Sequence, residues 1–165
     1  MKFRFIISIL LMLNGLTLFG QNASCPGASL GTISATCTSA SFNITTNNTE
    51  GTGLATCATG GSDFYDGWYQ FSATSTSTTI DLSSLTTAAA ISIYTGCPTA
   101  PGTYINCQYI TSGTGSIILT TTVGTTYQIR IQRRGGGNKF DLGGTICVYN
   151  TPAVPANNNC GTPFT

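Results

Sequence analysis

From residue 25 onward, apolar side chains recur at every second position in short runs, and no useful length shows helical spacing. In TYQIRIQR, residues 126–133, Tyr127, Ile129 and Ile131 fall on one side and Gln128, Arg130 and Gln132 on the other. In GWYQF, Tyr69 and Phe71 share one side while Trp68 and Gln70 share the other. Period-two alternation suits a half-buried strand, whose successive side chains point to opposite faces. Eight runs qualify: SFNITT, GWYQFSA, STTIDLS, AAISIYTG, YINCQYI, GSIILTTT, TYQIRIQR and GTICVYN. Glycine, proline and asparagine separate them, as turns require. Eight short strands in one domain predict an all-β fold, a two-sheet antiparallel β-sandwich of jelly-roll-like form.

Composition narrows the function. The chain has 165 residues, of which 41% are hydrophobic and only 7% charged, so its surface must be neutral and rich in hydroxyls. A net charge of +1 offers no electrostatic footprint for nucleic acid or anionic lipid. Residues 1–20 read as a secretory signal: Lys2 and Arg4 precede an apolar core, and Gly20 ends it before QNAS. That core is interrupted by Asn14 and Gly15 and is too short for a membrane span. Residues 21–150 are then the module, and TPAVPANNN, residues 151–159, is a proline-bearing linker. Residues 160–165 echo the mature start, since NNNCGTPFT parallels QNASCPGASL. Cys160 is therefore expected to open a truncated second module, which leaves six cysteines in the first.

Export permits those six to pair, so the expectation is a module stapled by three disulfides. Cys97 and Cys107 enclose a short loop between two strands and are the expected pair, with roughly 2–3 kcal/mol from loop closure. Cys25, Cys37, Cys57 and Cys147 leave three connectivities open.

Several pieces occur in an order that resembles a known family. NASCPGASL, ATCTSASF, GGSDFYDGWYQFSAT, ISIYTGCPTAPGTYINCQY, TTTVGTTYQIRI and GGTICVYN follow one another over residues 24–150. They resemble the pre-peptidase C-terminal-like sandwich modules, often in tandem, of proteins that bacteria export by the type IX pathway. The resemblance implies the fold and an extracellular setting, and is silent on function, because such modules accompany proteases, adhesins and filamentous proteins alike. Where that family often has an aspartate cluster able to hold calcium, this chain has NCQYITSGTGS, without a carboxylate.

Candidate chemistry is sparse. The five carboxylates are Glu50, Asp63, Asp66, Asp81 and Asp141, and there is no histidine to serve as a base near neutral pH. No GxSxG elbow occurs. Asp63 and Asp66 stand three apart in a glycine-rich loop, where aspartates form turns more often than they bind calcium. No enzyme activity, cofactor or metal is therefore expected. Tyr65 and Trp68, with Tyr69, could give sugars flat faces to stack on; alternatively Tyr69 and Phe71 are core and Trp68 seals the sandwich edge. Arg130, Arg133, Arg134 and Lys139 form the one basic cluster, able to meet an acidic polysaccharide, a neighbouring module or only solvent.

The expected function is that of a secreted or cell-surface, non-catalytic module, a spacer or adhesion unit in a tandem array. Its expected partners are neighbouring modules of the same polypeptide and surface glycans. The alternative is a carbohydrate-binding or accessory module attached to a secreted hydrolase or peptidase.

Overall fold

A computed structural model describes residues 21–45, 57, 65–98, 103–111, 113–133 and 141–153. The expected signal, most of the linker, the second module opening at Cys160, and Asp63, Arg134 and Lys139 lie outside these residues. The described residues form nine strands: β1 (Ala28–Thr32), β2 (Thr38–Ile44), β3 (Asp66–Ser72), β4 (Ser77–Leu85), β5 (Ala89–Tyr94), β6 (Tyr104–Ile110), β7 (Gly113–Thr120), β8 (Thr126–Arg133) and β9 (Leu142–Asn150). They make a five-stranded sheet, ordered β1-β3-β8-β5-β6, and a four-stranded sheet, ordered β2-β9-β4-β7.

Each of the eight expected runs falls on a strand, and YINCQYI and TYQIRIQR match β6 and β8 end to end. The ninth, β1, escapes pattern reading because ASLGT buries only Leu30. It also breaks the antiparallel expectation, since β1 runs parallel to β3 while every other pairing is antiparallel.

The core lies between the sheets and follows the period-two rule. Tyr127, Ile129 and Ile131 of β8 and Tyr69 and Phe71 of β3 meet Ile80 and Leu82 of β4 and Ile146 and Val148 of β9. Tyr69 is fully buried, and its hydroxyl donates to the Ser41 carbonyl at 3.1 Å, tying the five-stranded sheet to β2. Burial pushes this phenol far above its ordinary range, so it stays a neutral donor.

The disulfides correct the expected pairing. Cys25 bonds Cys97, Cys37 bonds Cys147 and Cys57 bonds Cys107, each with Cα atoms 5.6 Å apart. Cys97 and Cys107 do not pair because they are out of register. Cys107 sits opposite Ser92 of β5, and Cys97 lies five residues beyond Ser92 along the chain. Cys97 lies past Tyr94, where β5 ends, and is held by Cys25, while Cys107 within β6 is held by Cys57.

The Cys37–Cys147 bridge closes 110 residues and joins the start of β2 to its hydrogen-bonded partner β9. Replacing both cysteines by alanine is expected to cost about 4 kcal/mol on the loop-entropy model. Equilibrium denaturation with the other two bridges intact measures it.

Candidate functional site

The outer face of the five-stranded sheet is the most organised polar surface of the molecule. Strand register sets side chains there in rows. One row runs Trp68, Arg130, Ser92 and Cys107 across β3, β8, β5 and β6. A second holds Asp66, Gln132 and Ala90, and a third Gln70, Gln128 and Tyr94. An uncovered sheet face carrying such residues would be wet. Here Asp66, Gln128, Arg130, Gln132 and Ser92 are all buried.

The cover comes from far away in sequence. Asn22 makes an isolated bridge with Trp68, and both backbone hydrogen bonds of that bridge form, at 2.8 and 3.2 Å. The Gly27 amide donates to Gln128 Oε1 at 2.9 Å, and Gln128 Nε2 donates on to Gln70 Oε1 at 3.0 Å. Gly27 lies so close to β3 that a Cβ would collide with the Tyr69 backbone, so only glycine fits. Cys25 then bonds Cys97 beyond β5, and Cys57 is tied to Cys107 on β6. The Ser92 hydroxyl lies 3.4 Å from the Cys107 sulfur.

Within this layer Arg130 Nε donates to Asp66 Oδ2 at 2.5 Å, with side chains only 4% and 1% exposed. The guanidinium lies 5.6 Å from the Trp68 ring centroid. Trp68 in turn packs against Tyr94 at 5.9 Å, and Tyr94 meets Tyr104 edge-on at 6.0 Å. A carboxylate, a guanidinium and three rings therefore form one interlocked layer.

The two residues expected to touch a ligand are not brought together. Tyr65 and Trp68 fall on opposite faces of the sheet. Tyr65 is half-buried, packs against the core and lies under Arg133. Trp68 is 5% exposed, with Arg130 and Tyr94 against its ring, so it is closed to a stacking sugar. The reading that sealed Trp68 into the fold is the one the geometry supports. The basic cluster is also divided: Arg130 pairs with Asp66 on the outer face, while Arg133 turns to the core side over Tyr65.

All six expected cysteines are bridged. Among the described residues, no three Cys, Asp or Glu side chains gather to hold a metal ion. Asp81 accepts from the Tyr149 hydroxyl at 2.9 Å beside a shallow open groove lined by Ser83, Thr114 and Ser116 on the four-stranded sheet. That hydrogen bond raises the Tyr149 pKa. The Asp66–Arg130 pair was not read from the sequence. Its signal was the rarity of charge: where only 7% of residues carry any, an arginine within an alternating strand needs a partner.

Burial raises the Asp66 carboxyl above the ordinary carboxylate range; Arg130 and the Trp68 side chain pull it down without cancelling the effect. With a folded-state pKa above the unfolded one, the native state binds the proton more tightly. This residue's contribution to stability is therefore full below the unfolded value and declines as pH rises through the folded value. Urea denaturation from about pH 4, near the unfolded value, to pH 7 is expected to show that decline. Asp66→Asn is expected to remove it.

Comparison with known proteins is consistent with this architecture. A family model for a type IX secretion-associated domain, described as galactose binding domain-like, matches residues 21–141. No curated protein and no solved structure gave a significant match. The matched span starts at the segment that covers the five-stranded sheet and reaches the threshold of β9. Together with the three disulfides it supports a secreted or cell-surface β-sandwich module. The chain belongs to the type IX secretion-associated family of galactose binding domain-like domains.

Proposed function

We propose that this domain is a non-catalytic, load-bearing spacer or adhesion unit in a tandem array on the bacterial surface or outside the cell. The observation that carries the reading is the position of one crosslink. β2 begins at Thr38 and β9 ends at Asn150, and Thr38 pairs with Val148. Tension applied to the two ends of the module therefore acts at the same end of this antiparallel pair. It would open the ladder one hydrogen bond at a time, which is the weak direction for a sheet. Cys37–Cys147 stands where that zipper would start, beside the first pair of partners.

The covalent bond shunts the load. With it intact, only the segments Gln21–Cys37 and Cys147–Ala153 can lengthen between those two points. That is about 22 residues, or roughly 75 Å when fully extended. Without it the Cys25–Cys97 bridge still carries load, and the same points span about 60 residues and roughly 200 Å; with all three bridges reduced they span about 130 residues and roughly 450 Å. A chain with few ion pairs gains durability outside the cell in this way, and no reactive group is needed.

A second reading is a carbohydrate-binding or accessory module joined to a secreted hydrolase or peptidase. It is favoured by the galactose binding-like description of the family and by the resemblance to pre-peptidase C-terminal-like modules.

Single-molecule stretching with handles at Gln21 and Ala153 tests the first reading. The oxidised protein is expected to lengthen to no more than about 75 Å between the handles, and the reduced protein to roughly 450 Å. Full-length extension of the oxidised protein would refute it.

A further inference from the structure

A sheet edge displays unpaired N–H and C=O groups, and folded proteins guard such edges against pairing with another chain. Two open sheets give this domain four edge strands, β1, β6, β2 and β7. Three are guarded. β1 is only five residues long, and its register with β3 breaks before Thr32. β6 bulges at Ile105, and Cys57 is bonded to it at Cys107. At β2 the Gln21 side-chain amide occupies the edge: Nε2 donates to the Asn43 carbonyl at 2.6 Å, and the Asn43 amide donates back to Oε1 at 3.4 Å.

β7 is the exception. Its sequence, GTGSIILT, has no charge and no proline, and its register with β4 is unbroken from Gly115 to Thr120. The Thr121 amide donates to the Thr76 carbonyl at 2.9 Å, so the Thr121 backbone faces β4. Strand alternation turns the Ile117 and Leu119 backbones to β4 as well. It leaves the N–H and C=O groups of Ser116, Ile118 and Thr120 along the free edge. These three residues are exposed, Ile118 at 65%, and among the described residues no backbone hydrogen bond reaches that edge. On the outer face Ile118 ends a row that runs through Thr79 of β4 to Tyr149 of β9.

We infer that β7 is a self-association edge, on which β7 of a second copy of this chain pairs antiparallel about a two-fold axis through Ile118. In that register Ile118 exchanges both backbone hydrogen bonds with its counterpart. Ser116 and Thr120 exchange theirs with the partner's Thr120 and the partner's Ser116, for about six bonds in all. The two exposed isoleucines then lie directly opposite each other, where apolar cross-strand pairs stabilise a sheet. The occupant is a copy because the edge is self-complementary: an uncharged strand meets its own image without repulsion, and two four-stranded sheets become one continuous sheet. A single contact of this size is weak, and repetition along an array strengthens it by avidity. This lateral, like-to-like contact goes beyond the load-bearing role and does not rest on it.

Sedimentation of the oxidised protein, with Cys160 alkylated to exclude covalent dimers, tests the edge. Between about 10 μM and about 1 mM, the range of weak contacts, the wild type is expected to shift from monomer to dimer. Ile118→Lys sets like charges opposite each other and is expected to weaken association roughly tenfold or more. Its melting temperature is expected to change little, because the position is exposed. Ile118→Asp is expected to behave alike. An equimolar mixture of the two variants is expected to associate again, since pairing 118 with 118 brings their opposite charges together.

Hydrogen exchange gives a second readout that needs no substitution. The amides of Ser116, Ile118 and Thr120 are expected to exchange fast in dilute protein and to slow as concentration rises, while Ile117 and Leu119 stay protected throughout. A wild type that is still monomeric at the top of the concentration range would overturn the proposal. Association that Ile118→Lys leaves intact would place the contact elsewhere, and a mixture of the two variants that stays apart would reject the register; either overturns it. So would slow exchange of the three edge amides in the dilute monomer, which would show that the chain itself covers the edge.

Discussion

The Cys37–Cys147 bond is the constraint on which the rest of the structure depends. It joins the strand that opens the four-stranded sheet to the strand that closes the module, and it encloses 110 residues. Both core layers, the buried ion pair and the other two bridges lie within or beside that closed loop. A fold with so few charges has little surface electrostatics to resist a harsh exterior. Its resistance comes from limiting how far the unfolded chain can spread.

The second organising feature is burial on both sides of one sheet. A β-sandwich ordinarily leaves its outer faces to solvent. In this domain the segment from Gln21 to Gly27 packs on the five-stranded sheet, and the Cys57–Cys107 bridge holds Cys57 at its far edge. Polar side chains beneath pair with one another and with the cover: Gln128 with Gln70 and the Gly27 amide, Arg130 with Asp66 and the Trp68 ring. The module thus has an apolar core between its sheets and a smaller polar one outside, fastened by sulfur.

What the sequence revealed depended on the range of the interaction concerned. Strands such as TYQIRIQR were legible residue by residue, because alternation is a local signal and side chains within one strand sort themselves without help. The strand ASLGT was not, since one buried leucine and a parallel partner leave no alternation and no hairpin to read. The burial of Gln128, Arg130 and Gln132 was hidden for a different reason: their cover lies about 100 residues away in the chain. The nearest pair of cysteines misled, because proximity in sequence says nothing about register across a hairpin. The basic run around Arg130 and Arg133 looked like one patch, but a three-residue separation in a strand puts two side chains on opposite faces.

Peptide mapping of the unreduced, exported protein tests the central claim most directly. The account predicts three cross-linked peptide pairs, Cys25 with Cys97, Cys37 with Cys147 and Cys57 with Cys107. Recovery of Cys37 or Cys147 as a free thiol, or joined to any other cysteine, would contradict it.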